Sequence, residues 1–542
     1  MQGELRHDGS RFTSLYNHSK NYLRVLMQQG RVQVDADWNE QVDTLLYHLH
    51  TLASDLIGPY GGPPEKYGFA IRKADDGNFI IGNGHYYVDG ILCQLSGITV
   101  AMTKLEGNRA TIPMWAVQYP EFQAEQYVEV FSEEASAPDP VVTKIQQSDK
   151  LKSMVILSPL DTNADLSAFV EAGVLPKLRS LVTYKTQSHT SMQTPLEPGL
   201  HLIYLDVWER HISHIEDASE LIPGIREVAL GGPDTATRSQ VVCQIRALQT
   251  DQFGNATVTD LPEIAKTIKG DESVFRTLLQ DITQPGRGQL RARAQKPDID
   301  DADPCLTSPK AKYRGDDNQL YRVEIFAIDT EKKAYFVWSR ENSAVVFPIL
   351  ELSTTTVPGS SATDTPTTLV VSLEHLGNDN RFSLSEENWV EIVDDDYTLQ
   401  SKPRTLFKVE KVNRQDHRVW LSGNIDALSD NLQHPYLRRW DSFARMLVEA
   451  PTTNDGWIPL EEGIEIQFIF EHLDEYKVGD YWQIPVRTAT GDVEWVGLKD
   501  NPLPSPPHGI THHYAPIAII HADTNGNFSH EDCRRQFIQL WS

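Results

Sequence analysis

The sequence predicts a mainly β protein with a minor α component, an α+β chain of several β-sandwich or barrel-like modules with an N-terminal helix. Three observations lead there. Short alternating apolar runs recur along most of the chain, separated by Gly, Pro, Asn and Asp turns. Only one stretch, beginning near Asp37, keeps a helical period for more than three turns. The hydrophobic fraction of 40%, with 11 Trp and 19 Tyr, is enough to fill cores, so the acidity of the chain belongs to a folded protein and not to a disordered tail.

The first elements lie near the N-terminus. Arg31-Val32-Gln33-Val34 alternates and reads as a short strand. Asp37 followed by Glu40 is a capping-box pattern, which predicts a helix starting at Asp37. Trp38, Val42, Leu45, Leu49, Leu52 and Leu56 then recur at spacings of four and three, and Gly58-Pro59 ends the run. The result is a narrow apolar seam of about two and a half heptads. A seam shorter than three heptads reads first as a helix face packed on its own domain, and second as a contact between subunits.

Beyond Tyr60 to Pro64 the period changes to two. Phe79 to Ile81, His85 to Leu92, Met154 to Leu157, His201 to Trp208, Gln240 to Ile245, Tyr321 to Ile325 and Ala334 to Trp338 read as strands. Asp165 to Ala172 and Glu272 to Leu279 read as short amphipathic helices. From Ser353 to Thr368 the composition is Ser, Thr, Pro, Gly, Ala, one Val and one Asp, which reads as a loop or linker. Strands then resume at Val370 to Leu373, Phe407 to Val412, Arg418 to Leu421, Ile464 to Phe468 and Tyr481 to Val486. The expected organisation is a helical docking segment over 1–62 and a β-rich central region over 63–352, of one or two subdomains. A linker over 353–368 and a C-terminal β-rich domain over 369–542 complete it. No fixed-period repeat is visible.

The 76 Asp and Glu against 49 Lys and Arg give a net charge of −27, which disfavours nucleic acid as a partner. No apolar run reaches the roughly 18 residues of a membrane-spanning helix, and the first residues lack the apolar core of a secretory signal. A cytoplasmic protein is expected. Cys93, Cys243, Cys305 and Cys533 are far apart and form no CxxC pair, so packing in apolar surroundings is expected over a disulfide framework or a zinc ribbon.

Chemical motifs are sparse. No phosphate loop, HExxH, GxSxG or strand-linked GxGxxG occurs, and no cofactor or catalytic residue is assigned. His508, His512, His513 and His521 form the densest histidine group, but adjacent histidines on a strand point to opposite faces and do not readily chelate one ion. Asp394-Asp395-Asp396, Glu461-Glu462 with Glu465, and Asp298 to Asp301 read as solvated turns; none keeps the register of a calcium loop. Arg314-Gly315-Asp316 reads as a turn before a strand. Arg287, Arg291 and Arg293 form a short basic strip in an acidic chain. It is either a docking strip for an acidic neighbour or a set of solvated and internally paired side chains.

Residues 22–41, YLRVLMQQGRVQVDADWNEQ, resemble the opening of an uncharacterised bacterial family encoded in gene clusters of phage-tail-like contractile injection systems. Further blocks of the likeness include Asp206 to Arg210, Val228 to Arg238, Tyr313 to Ile325, Trp338 to Asn342, Leu437 to Asp441, Gly479 to Ala489 and His512 to Ala518. The resemblance implies a non-enzymatic structural part of a tail-like particle, at the baseplate or as a fibre-like attachment. Its partners would be baseplate, sheath or tube subunits and further copies of itself, as a trimer or hexamer, in a particle that is membrane-anchored or released. Members often carry extra C-terminal modules, whereas this sequence stops soon after the shared region, which argues against a receptor-binding role. The suspected interface comprises the seam residues Trp38, Val42, Leu45, Leu49, Leu52 and Leu56 together with Arg287, Arg291 and Arg293. The alternative expectation is a tail protein that binds or cleaves carbohydrate through aromatic platforms and a carboxylate pair.

Overall fold

The structure, a computed structural model, describes residues 18–538 except 75–76, 135–136, 161–164, 188–195, 218–223, 233–234, 255, 285, 296–311, 357–366, 380, 401–403, 426–427, 429–431, 443–444, 449–455, 470–474 and 499–500. It is 42% strand and 16% helix, a multi-domain, β-rich α+β fold with several sheets and a six-stranded barrel. The chain forms two units, each assembled from three separated stretches. The first holds Met1–Tyr47, Glu209–Gln240 and Gln284–Thr511; the second holds His48–Trp208, Val241–Thr283 and His512–Ser542.

Helix α1 (Asp35–Ile57) begins two residues before the expected cap. Asp35 and Asp37 both fall in its first turn, where carboxylates suit the positive end of the helix dipole, and Asp37 is therefore not the cap. The preceding Arg31 to Val34 is irregular and not a strand; Val32 is 87% exposed, so its alternation has no sheet to serve. Gly58 ends α1 in the left-handed conformation (φ +89°), with its N–H bonded to the Ser54 carbonyl at 2.8 Å.

In the second unit, β1 (Gly84–Val88) and β2 (Ile91–Leu95) form a hairpin whose turn lies against the C-terminal half of α1. Gly90 in that turn has φ +80°, and a Cβ there would stand 2.1 Å from the His50 carbonyl oxygen. Asp89 N–H also reaches the Pro59 carbonyl at 2.7 Å. A seven-stranded antiparallel sheet, with strands between Thr99 and Ser180, follows over its own core. β3 (Gly199–Ile212), β4 (Arg238–Gln249) and α2 (Leu261–Gly270) come next. α2 has no counterpart in the sequence reading, although it carries Pro262 in its first turn and buries Leu261, Ile264, Ala265 and Ile268 at helical spacing.

The first unit then takes β5 (Gln289–Ala294), β6 (Gln319–Ile328) and β7 (Ala334–Ser339). A closed barrel follows, made of β8 (Val346–Thr356), β9 (Thr367–Leu373), β10 (Trp389–Val393), β11 (Leu406–Asn413), β12 (Arg418–Ser422) and β13 (Tyr436–Trp440). β14 (Ile464–Ile469) pairs with β5, and β15 (Tyr481–Arg487) pairs with β6. β16 (His512–Ala522) and β17 (Phe528–Asp532) belong to the second unit, in a sheet ordered β4-β3-β16-β17. β3 and β16 pair from Gly199↔Ala522 to Trp208↔His512, with one irregularity at Ile203/Tyr204, where Ile517 is passed over beside Pro516.

Two expected boundaries are corrected. The stretch 353–368 does not separate domains: Ser353 to Thr356 are in β8, Thr367 and Thr368 are in β9, and these pair within one barrel. Threonine is weakly apolar but a good strand former, so composition alone reads as a linker what the backbone uses as a hairpin. The middle of that stretch, 357–366, lies outside the described residues. Nor do 63–352 and 369–542 form successive domains, because β3 and β16 share a sheet.

The barrel alternates along β10: Val390 and Ile392 enter its core, while Glu391 points outward yet is 1% exposed. Glu391 accepts from Arg404 at 2.6 and 2.8 Å and from the Trp440 indole at 3.0 Å. Arg404 also pairs with Glu324 of β6, which accepts from Arg322 at 2.6 Å. Arg210 and His434 both pair with Asp395. A layer of buried, paired charges thus lies between the barrel wall and the sheet of β6, β7 and β15. Burial would raise the Glu324 carboxyl, but Arg322, Arg404 and Arg438 outweigh it and hold its pKa down at about 2.

Glu324→Gln leaves buried guanidinium groups short of charge and should cost about 3–5 kcal/mol at pH 7. Because the folded pKa lies below the unfolded value of about 4.3, the Glu324 contribution is present above pH ~4.3 and is lost as pH falls toward 2. Urea midpoints of the parent and the variant should therefore converge between roughly pH 5 and 2; a constant gap refutes the assignment. Gly90→Ala should lower stability by about 1–3 kcal/mol through left-handed strain, plus the clash with the His50 carbonyl. An unchanged melting temperature would show that the hairpin turn does not seat α1.

Candidate assembly surface

Helix α1 carries two stripes. Ala36, Glu40 and Thr44, at i, i+4 and i+8, are its buried residues, and the Thr44 hydroxyl donates to the Glu40 carbonyl at 2.8 Å. At about 100° per residue the seam from Trp38 to Leu56 is centred roughly 160° away, on the opposite face. That face is open: Trp38 is 69% exposed, Val42 39%, Leu45 53%, Leu49 59%, Leu52 58% and Leu56 64%. The first reading of the seam, packing on its own domain, is overturned. The helix buries the smaller and more polar stripe and turns the large apolar one outward.

The stretch before α1 extends this character in a way that the sequence reading missed. Val25 N–H donates to the Gln41 side-chain oxygen at 3.0 Å, tying the stretch to the helix. Tyr22, Leu23, Leu26 and Met27 are all exposed, Leu23 by 71%. Residues 22–27, with apolar side chains adjacent in sequence, follow neither a helical nor a strand period, so no face could be recognised as outward. Together with the seam, these exposed side chains outnumber the scattered single apolar residues of an ordinary surface.

The basic strip does not act as a unit. β5 places Arg291 and Arg293 opposite Gln467 and Glu465 of β14. Arg293 bonds Glu465 at 2.8 Å and stacks 4.0 Å over Trp457, so its charge is spent within its own unit. Arg291 is half-buried. Arg287 is exposed, with its backbone N–H bonded to the Glu475 carbonyl at 2.8 Å.

His512 and His513 diverge, as strand geometry requires. His512 Nδ1 lies 2.7 Å from Asp206 Oδ1, and His513 Nδ1 lies 2.8 Å from Asp89 Oδ2. Asp206 also pairs with Arg246 at 2.9 Å. This Asp206, Arg246, His512 group, together with Trp208 whose ring lies tilted against His512, joins three neighbouring strands and was not legible as a group in the sequence. Among the described residues no cluster of three or more His, Cys, Asp or Glu is placed to hold a metal ion.

The acidic runs depart from the solvated-turn reading. Asp394 and Asp395 are 2% and 4% exposed: Asp394 caps the helix Asp395–Gln400 through the Tyr397 N–H, and Asp395 takes Arg210 and His434. Glu461 accepts from the Tyr321 hydroxyl at 2.8 Å and from Arg340 at 2.7 Å, and burial pushes its pKa up. Asp298 to Asp301 lie outside the described residues. Cys93 and Cys533 are buried and Cys243 partly so; burial pushes the Cys533 thiol up to about 12. Cys305 lies outside the described residues.

Of the tryptophans in the blocks of family likeness, Trp208, Trp338, Trp440 and Trp482 are at most 3% exposed and belong to cores, whereas Trp38 faces outward. Among the described residues of the C-terminal stretch the large apolar side chains that are exposed are aliphatic, among them Val478, Leu498 and Ile510. Among the described residues no helix is long and apolar enough to cross a membrane. Neither the curated proteins nor the solved structures contain a match to the chain. The model of a family of unknown function, DUF6519, matches residues 5–112, 187–270 and 265–541, which take in α1 with its seam, the barrel and the β3–β16 sheet, and the chain therefore belongs to that family.

Proposed function

We propose that the chain is a structural subunit of a phage-tail-like contractile injection particle, baseplate-associated or fibre-like, acting by assembly and docking and not by catalysis. The observation that carries the assembly role is the inverted helix: α1 buries Ala36, Glu40 and Thr44 and presents Trp38, Leu45, Leu49, Leu52 and Leu56 outward. A folded protein leaves such a stripe open when another surface is to cover it. The kind of particle rests on the resemblance of residues 22–41 and of the later blocks.

The test uses the chain tagged at its native locus. Particles recovered through the tag should be sheathed tubes labelled at one end; recovery of free protein alone, without tube or sheath subunits, overturns the reading. Leu45→Arg/Leu49→Arg places charge on side chains already more than half exposed, in a helix that tolerates Arg. Stability should stay within about 0.5 kcal/mol. Incorporation into particles should fall by at least about 30-fold, the cost of losing one interface hot spot of about 2 kcal/mol. Normal incorporation of the folded variant removes the seam from the interface.

A further inference from the structure

Resting on the reading of the seam as an assembly surface, we infer that its occupant is a second copy of the same helix, packed seam to seam. In heptad terms Val42, Leu49 and Leu56 occupy a positions and Trp38, Leu45 and Leu52 occupy d positions. The flanking e positions are Asn39, Leu46 and Ala53, and the g positions are Gln41, His48 and Asp55. Asp55 is the one flanking carboxylate, and no Lys or Arg occurs anywhere in α1. Coiled-coil partners are chosen by charges at these positions. A strongly basic or acidic foreign helix would find almost nothing here to pair with.

A copy of the same helix would find almost nothing to repel it. That is not a trivial property of a chain with net charge −27, in which two copies repel each other over most of their surfaces. The remaining acids of α1 are placed away from the flanks. Glu40 is on the buried face, and Asp37 and Asp43 lie toward it and are half-buried. Asp35 is in register with the seam only at the first helical residue, where water screens it.

Area sets a requirement. At about 25 cal/mol per Å² and about 1.5–3 kcal/mol, full burial of a side chain of this size removes on the order of 60–120 Å². The six seam residues are 39–69% exposed and together offer roughly 200–400 Å² per copy, so a stable pair, at about 600 Å² per copy, needs further apolar surface beside them. Leu46, itself 39% exposed at an e position, adds to this, and so do Tyr22, Leu23 and Leu26 of the stretch tied to Gln41. The large residues at a and d suit knobs-into-holes packing between identical seams, and a self-complementary patch generates a symmetric, closed contact.

The experiment is sedimentation of the purified full chain from about 0.1 to 100 μM, with hydrogen exchange of residues 38–56 measured over the same range. The expected result is a concentration-dependent homo-oligomer whose formation protects those residues. Leu45→Arg/Leu49→Arg should weaken association at least about 100-fold while leaving the circular dichroism unchanged. A monomer at 100 μM with residues 38–56 unprotected overturns self-pairing. Protection of those residues in a chain that sediments as a monomer throughout the range overturns it too, because the seam is then covered within one chain. If the monomer still enters particles through the seam, the occupant is a different subunit: self-pairing fails while the assembly reading survives. If the chain oligomerises but no tube or sheath subunit is recovered with it, self-pairing stands and the particle reading fails.

Discussion

The pairing of β3 with β16 is the contact on which the second unit depends. It joins strands whose residues are about three hundred positions apart, as the His512 to Asp206 hydrogen bond illustrates with a separation of 306. β3 is buried on both faces from Leu200 to Trp208, so no hairpin neighbour alone could satisfy it. Its backbone groups on one edge are met by β16, which arrives only after the whole first-unit excursion from Gln284 to Thr511. Closing a loop this long costs entropy only logarithmically, so the arrangement is thermodynamically affordable, but non-local pairing makes folding slow. The excursion must therefore fold as a unit with its own cores, and the closed barrel, which has no open edges, suits an insertion of this kind.

The same logic explains the buried charges. In β10 and β13 one face fills the barrel, and the other would ordinarily meet water. Instead that outer face carries Glu391, Arg438 and Trp440 against Glu324, Arg322 and Arg404. Exposed ion pairs contribute little, whereas a buried pair is costly to disrupt because the abandoned partner has no solvent. The layer thus specifies one docking arrangement of barrel and sheet more strongly than a flat apolar face would.

The limits of the sequence reading follow from this. Strand content, the glycine stop at Gly58, the helix at Glu272–Leu278 and a barrel-like module were legible, because alternation and turn residues are local signals. What escaped were the partners of each face. Val-Glu-Ile-Val-Asp-Asp-Asp has the alternation of a strand with one wet side followed by a solvated turn, and nothing local announces that arginines from β6 and from the residue two places before β11 will cover it. Ser353 to Thr356 look like a linker because hydroxyl side chains are common in loops, yet β-branching favours the strand that they form. Asp206, Arg246 and His512 come from three chain segments, so no spacing rule could gather them.

The seam of α1 shows the same limit in its sharpest form, and there it bears on function. A helical period identifies an apolar stripe but not which way the stripe points. The usual inference, that the apolar stripe faces the core, assumes that the helix has only its own domain to satisfy. Here the helix is held by Ala36, Glu40 and Thr44 on one side and by the Gly90 turn near its C-terminal half. Those contacts need none of the six seam residues. Large apolar side chains that contribute nothing to their own fold carry a standing cost in solubility, which an acidic surface elsewhere can offset only in part. The stripe lies opposite the buried residues of the helix, and its six side chains stay exposed from one end of α1 to the other, available to one elongated surface. That geometry suits another helix better than a compact globular knob, and it is the reason that the composition of the flanks, and not of the seam, carries the information about which helix it is.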